Sequence, residues 1–526
     1  MFDLIIRNGT LVDGTGAPPR RADLGIAGNR IAAIGDLAAQ TAAISLDAEG
    51  KVVAPGFVDI HSHSDFTLLV DPRAQSSIAQ GVTTEVIGNC GHGCAPIARA
   101  DQVTGNIYGY LPGFPLDWAT TASYLERLEQ AHPAVNVVPL VPNGNLRLAT
   151  LGLDDRPATP DERREMASLL EEGLEAGAFG FSTGLEYPSE RATTEEETVC
   201  LCRVVARRGG IYTTHTRNRD VHAVAAIEEA VRVATTAGVP LQVSHLIPRR
   251  GGPPDTLERA IAVVDRARSH GLDVAFDAHT RLHGITNLSA ALPSWALAGG
   301  PPALAARLRD PAVRDRLRRH ESIISSFGLG GWDRVFLFRS ERRPDLVGKS
   351  FAEIAGPGGD PFDAVFDVLL AEAADPHAPM VVCLSYEEDE LLFAYCHGLC
   401  TIGSDATALA TDGPLAGSTF LGAYTWAAWF FRRFVRERAA FTLEAAIQKL
   451  ADAPARRFGL ADRGRLAEGC RADVVVFDPA TFAEQGTLDA PNRPATGMDH
   501  VVVNGVVTLQ NGEATGDRGG EVLRRS

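Results

Sequence analysis

Eight short apolar runs alternate with stretches of helical period through the middle of this 526-residue chain, and that alternation limits the fold more than any other feature. The runs fall at 57–60, 83–87, 136–140, 178–181, 211–215, 241–245, 274–277 and 401–403, and segments such as 160–173, 194–208, 222–237 and 256–269 carry helical spacing between them. Strand–helix alternation implies a parallel sheet, and eight units predict a closed (β/α)8 TIM-like barrel, an α/β architecture. The interval between the seventh and eighth runs is far too long for a simple loop. It contains a Gly/Pro break at 299–302 and helical stretches of its own, which predicts an inserted lid over about 282–345.

Both ends read as β structure. Near the start, two apolar runs at 3–11 and 24–34 occur, the second broken by Gly28-Asn29, a hairpin signal. Near the end, 472–477 is strand-like, and the β-branched run 500–509 is split by Asn504-Gly505. These pieces predict one small β-sandwich assembled from both termini, residues 1–55 and 466–526, with the barrel over 56–465.

A net charge of −16 with no basic block argues against nucleic acid as the main partner. No stretch is apolar for long enough to cross a membrane, and the first residues lack a signal-peptide arrangement. Eight cysteines in 526 residues are too dilute for a disulfide scaffold, so reduced thiols and a cytoplasmic location are expected. The chain is open to homo-oligomerisation.

The chemistry-bearing residues fall where these runs end. Phe57 to Ile60 leads into His61-Ser62-His63, and strand alternation turns both imidazoles the same way, towards the barrel mouth. Two imidazoles facing one point begin a metal site, although a bare H-x-H can equally be a pair of loop histidines. Cys90 follows the second run, His215 ends the fifth, His245 ends the sixth and Asp405 follows the eighth. A lone histidine after a strand is more often structural, and an aspartate such as Asp405 can simply cap a turn. Five potential ligand positions on one rim, however, match the anatomy of a barrel active site.

The segments DLIIRNGTLVDGTG, APGFVDIHSHSD, QGVTTEVIGNCG, GFSTGLEYPS, THTRNRD, IGSDA and LADRGRLAEGCRADVVVFDP resemble, in their order, the amidohydrolase superfamily and within it the N-acyl-D-amino-acid deacylase (D-aminoacylase) family. The resemblance covers nearly the whole chain; GFVDIHSH marks the superfamily, while GNCG with GFSTGLEYP narrows it to the deacylases. It implies a zinc ion held tightly by Cys90, His215 and His245, with water completing the shell, and a second, weaker metal position at His61, His63 and Asp405. It implies hydrolysis of a small linear amide, an N-acyl amino acid or related N-acyl or aryl amide, with Asp405 as general base and then acid. Many superfamily relatives bridge two metals with a carbamylated lysine after the fourth strand. The three lysines here, Lys51, Lys349 and Lys449, all lie far from 178–181, which excludes that arrangement for a strand placed there. An anionic, soft Cys90 thiolate is a sensible substitute.

The pattern breaks at the substrate end. The family lysine two residues after the sixth-strand histidine is Ile247 here, the stretch after the seventh strand is Phe276-Asp277-Ala278-His279-Thr280-Arg281, and the usual His-Pro-Arg after the eighth is Gly413-Pro414-Leu415. Two cationic anchors for a free carboxylate are thus missing, which predicts a less acidic, more apolar or aromatic amide. Arg217, His279 and Arg281 are the expected replacement contacts. Tyr187 matches a family tyrosine that touches substrate, and a packing role fits it nearly as well. A structural site pairing Cys90/Cys94 with Cys396/Cys400 is a weaker reading, and Cys200, Cys202, Cys383 and Cys470 read as core. Two other functions remain open: a ring-opening hydrolase of a cyclic amide, carbamate or lactone, and a non-enzymatic scaffold.

Overall fold

The computed structural model describes residues 1–525. Its centre is an eight-stranded parallel sheet. In chain order the strands are β1 (Phe57–Asp59), β2 (Val82–Ile87), β3 (Asn136–Pro142), β4 (Gly180–Gly184), β5 (Ile211–His215), β6 (Leu241–Val243), β7 (Val274–His279) and β8 (Cys400–Gly403). Each pairs with the next, with β7 beside β8. The ring closes through a parallel bridge between Ser62 and Ala406, reinforced by His63 N–H donating to Ala406 O (2.8 Å) and Asp405 N–H donating to His61 O (2.8 Å). That closure brings two distant candidate segments side by side.

Nearly every residue of the eight strands is buried, because a barrel strand has side chains inside and helices outside. The helices between them begin where the sequence supplies caps. Thr159 and Glu162 form a reciprocal capping box around Pro160 at the start of helix Pro160–Glu175, and Thr194 accepts from Glu197 N–H at the start of Glu195–Arg207. Each satisfies backbone donors that a helix start leaves free.

Strands from both termini form a nine-stranded sheet. Val52–Pro55 lies antiparallel to Val474–Phe477, joining the two halves of the chain. Asn504 and Gly505 both take positive φ (49° and 83°), as a two-residue hairpin turn there requires. These strands hydrogen-bond as one continuous sheet, and apolar side chains from both termini share one buried core.

The fourth run is displaced from 178–181 to Gly180–Gly184. The insertion between β7 and β8 also extends beyond 345. Its three-stranded sheet consists of His283–Asn287, Val335–Arg339 and Met380–Leu384, and the last strand pairs antiparallel with the other two. That closing strand lies far from the strands it completes, so local composition could not place the boundary. Cys90 and Tyr187 belong to the same apolar cluster as the insertion's helices, so the insertion packs directly on the mouth of the barrel.

Candidate metal centre

His61, Cys90, His245 and Asp405 each bring a ligand atom to one point, all within 4.8 Å of one another. Cys90 Sγ stands 3.2 Å from His61 Nε2 and 3.3 Å from His245 Nε2. A sulfur and a nitrogen in one tetrahedral zinc shell stand about 3.5 Å apart, so the donor set and its spacing fit that ion. All three non-histidine-61 members of the group sit on left-handed backbone: Cys90 (φ 54°), His245 (φ 34°) and Asp405 (φ 46°). Such backbone is costly for residues with side chains and clusters at functional sites. The turn carrying Cys90 depends on Gly88 (φ 79°), where a Cβ would lie 2.4 Å from the Leu140 carbonyl oxygen.

Asp277, on β7, fixes two of these groups. Its Oδ1 accepts from His61 Nδ1 (3.1 Å) and from His245 N–H (2.7 Å), and its Oδ2 accepts from Gln242 Nε2 (3.0 Å). With Nδ1 donating to a carboxylate, His61 presents the lone pair of Nε2 to the cluster. His63 Nε2 lies 3.2 Å from Asp405 Oδ1, and Arg281 donates to Asp405 Oδ2 at 2.6 Å. Burial would raise the Asp405 pKa, but Arg281, His63 and the other nearby imidazoles outweigh it and hold the carboxyl well below its ordinary range.

His215 stands apart from the four-membered group. Its Nε2 donates to Glu186 Oε2 (2.8 Å), and Glu186 in turn receives both terminal nitrogens of Arg249 (2.6 and 2.7 Å). Its Nδ1 is buried with no partner, and its ring lies edge-on to His245 at 4.6 Å between centroids. Burial keeps both rings neutral, pushing His215 down to about 4 and His245 well below its usual value. Neutral imidazoles keep lone pairs to offer. Burial pushes the Cys90 thiol up to about 11, so it needs a cation beside it to ionise.

Residues 45–320 and 399–509 match the amidohydrolase family. This chain belongs to that family. Within it the amidohydrolase groups with the N-acyl-D-amino-acid deacylases. It is 36% identical to an N-acyl-D-glutamate deacylase of Alcaligenes xylosoxydans xylosoxydans over 100% of this chain and 97% of that protein. Among solved structures it resembles a D-aminoacylase, at a TM-score of 0.82 and 32% identity with both chains fully covered. It also resembles the N-acyl-D-glutamate deacylase of Bordetella bronchiseptica complexed with zinc and a phosphonate mimic of the tetrahedral intermediate, at a TM-score of 0.81 and 32% identity over 99% of each chain.

Other expected contacts of this amidohydrolase divide. Tyr187 stands at the cluster, its ring 4.8 Å from that of His215 and its hydroxyl 3.2 Å from the Tyr108 hydroxyl. Arg281 reaches Asp405 directly. His279 is buried with neither ring nitrogen bonded, packed 4.5 Å from the Tyr386 ring. Arg217 is not brought to the cluster: its guanidinium is taken by Glu229 and by the carbonyls of Arg191 and Thr193. The paired-cysteine arrangement is not assembled either, because the candidate metal group among the described residues contains a single cysteine, Cys90, and Cys396 is exposed.

A small cavity over the cluster is lined by Arg219, Arg249 and Arg281 together with Tyr187, Tyr386 and Phe420. The expected shortage of cations is therefore not what the structure shows; arginines from other positions supply them. A larger cavity of about 270 Å³ opens beside it under the insertion, and Tyr108, Tyr187 and Thr286 line both. Glu186, Arg249, Asp277 and Arg219 were not singled out from the sequence. Glu186 lies inside the GLEYP segment and Asp277 closes the apolar run 274–277, so position was a usable signal for both. Arg249 and Arg219 carried no such mark.

Proposed function

We propose that this enzyme hydrolyses a linear N-acyl amide, with one zinc ion held by Cys90, His215 through its free Nδ1, and His245. His61, His63 and Asp405 would form an adjoining, weaker position. The observation that carries this reading is the convergence of His61, Cys90, His245 and Asp405 from four separate strand ends within 4.8 Å. Zinc, when bound, supplies Lewis acidity that makes water a better nucleophile and a carbonyl a better electrophile near neutral pH.

The protein's own groups supply the rest. Asp405, held ionised by Arg281, takes a proton from water at Oδ1, the oxygen that faces His63 and His61. It then passes that proton to the departing amine nitrogen, which is the stronger base. Arg281 occupies Oδ2 and so fixes which oxygen does the work. Glu186 and Asp277 position His215 and His61 from behind. The insertion covers the mouth and limits water. Small-molecule amides are the substrates, and a cytoplasmic location suits eight unpaired cysteines.

Metal analysis of the purified protein tests the reading. The expected result is one tightly bound zinc per chain, lost together with amine release in Cys90→Ala. Protein that holds no zinc, or a Cys90→Ala variant that keeps both metal and turnover, would overturn it.

A further inference from the structure

Three arginines line the cavity over the cluster, but they are not equivalent. Arg249 is neutralised by Glu186 and Arg281 by Asp405. Arg219 forms no ion pair with a carboxylate among the described residues. Its Nη2 donates to the carbonyls of His245 (2.9 Å) and Ile247 (3.1 Å), and its guanidinium carbon lies 5.7 Å from the centre of the Tyr386 ring. It is 7% exposed. The neighbouring Asp220 is turned elsewhere, its Oδ2 accepting from the Ser326 hydroxyl and its Oδ1 from Val221 N–H.

A buried guanidinium without a counter-charge is unfavourable unless something anionic joins it. Two carbonyls, both bound by Nη2, orient the group without neutralising it, and they leave the Nε and Nη1 donors for an anionic oxygen such as a carboxylate's. The position is suited to the amine side of the scissile bond. Arg219 lines the cavity with His245 and Asp405 but not the larger cavity under the insertion, which is reached past Tyr108 and Tyr187. An acyl group directed towards that larger space leaves the departing amine beside Arg219.

We propose that Arg219 is the carboxylate anchor of this enzyme and a specificity-determining residue, so that the leaving group is an amino acid rather than an uncharged amine. Ile247, buried where a cationic anchor was expected, contributes its backbone carbonyl to hold the replacement cation. The proposal rests on the amide-hydrolase reading above.

The test compares N-acetyl-D-leucine with N-acetyl-D-leucinamide, using zinc-loaded wild type, Arg219→Gln and Arg219→Lys. Wild type should favour the acid by on the order of 10²-fold in kcat/KM, mostly through KM, as expected for a charge pair formed away from water. Arg219→Gln should bring the acid-to-amide ratio close to one, with Arg219→Lys in between. Binding of free D-leucine to the zinc-loaded protein, read by calorimetry, should weaken in parallel while zinc content stays constant. An unchanged ratio with unchanged D-leucine binding in Arg219→Gln overturns the proposal and leaves only a structural role beneath His245. Failure of wild type to cleave either amide would instead count against the hydrolase reading, and the D-leucine measurement would still decide the anchor.

Discussion

Replacing Asp277 by asparagine removes one charge and almost no volume, and its consequences follow from three hydrogen bonds. The carboxylate accepts from His61 Nδ1, His245 N–H and Gln242 Nε2, with both Asp277 and Gln242 buried. Asparagine can keep one acceptor oxygen towards His61 and His245, but its amide nitrogen then faces the Gln242 amide nitrogen, donor against donor. Gln242 cannot turn over without loss, because its Oε1 accepts from Arg457 Nε at 3.0 Å. One buried donor left unsatisfied costs about 1–3 kcal/mol of folding stability. Losing the carboxylate behind a metal-binding imidazole costs roughly 10- to 100-fold in metal affinity. Denaturant unfolding of the metal-free protein should therefore show a loss of about 1–3 kcal/mol, and metal titration a second, weaker position at His61, His63 and Asp405 that binds about 10- to 100-fold more weakly than in wild type. Undiminished affinity for the second metal in a folded Asp277→Asn protein would refute the inference that His61 is a ligand oriented from behind.

Asp405→Asn keeps the bond from Arg281 but cannot take a proton, so kcat should fall by about 10²- to 10⁴-fold; steady-state kinetics with zinc content checked in parallel will show whether the loss is chemical. Arg249→Met strips the counter-charge from buried Glu186 and should destabilise the protein by about 3–5 kcal/mol near neutral pH. Burial alone would raise Glu186, but Arg249 and His215 outweigh it and hold its pKa below the ordinary 4.5. A depressed carboxyl pKa stabilises the fold above the unfolded value and loses that contribution as pH falls towards the folded value. Denaturation curves of wild type and Arg249→Met should thus lie furthest apart near neutral pH and converge below about pH 4.5; a constant gap down to strongly acid pH would contradict the assignment of the ion pair.

The barrel was legible because its strands are short, apolar and regularly spaced, and because a closed parallel sheet leaves few alternatives. Six ligand candidates were legible for a related reason: each follows a strand, and the C-terminal strand ends of a barrel face one point. What the sequence left open was direction. His215 occupies its expected strand end, yet its Nε2 belongs to Glu186, and only the unpartnered Nδ1 remains for a metal. Arg217 and Arg219 stand two positions apart on the same loop, and the sequence favoured Arg217. The structure commits Arg217 to Glu229 and brings Arg219 to the cavity. No periodicity operates in an irregular loop, so which of two arginines turns inward is set by partners distant in sequence.

The same distinction explains how the site is held in place. Cys90, His245 and Asp405 occupy backbone that a side chain disfavours, and strain of this kind persists only where surrounding structure over-determines it. Each is held against another strand: His245 N–H donates to the Asp277 carboxylate, Asp405 N–H donates to the carbonyl of His61, and the turn of Cys90 packs against Leu140 at Gly88. The donors are therefore positioned by the backbone and by Asp277. Because their spacing is set by barrel closure, a substitution that loosens the Ser62–Ala406 bridge region should spread His61 and Asp405 apart before it disturbs Cys90 and His245. The proposed weaker position of His61, His63 and Asp405 would depend on that seam, whereas the proposed tighter one would rest on strands away from it.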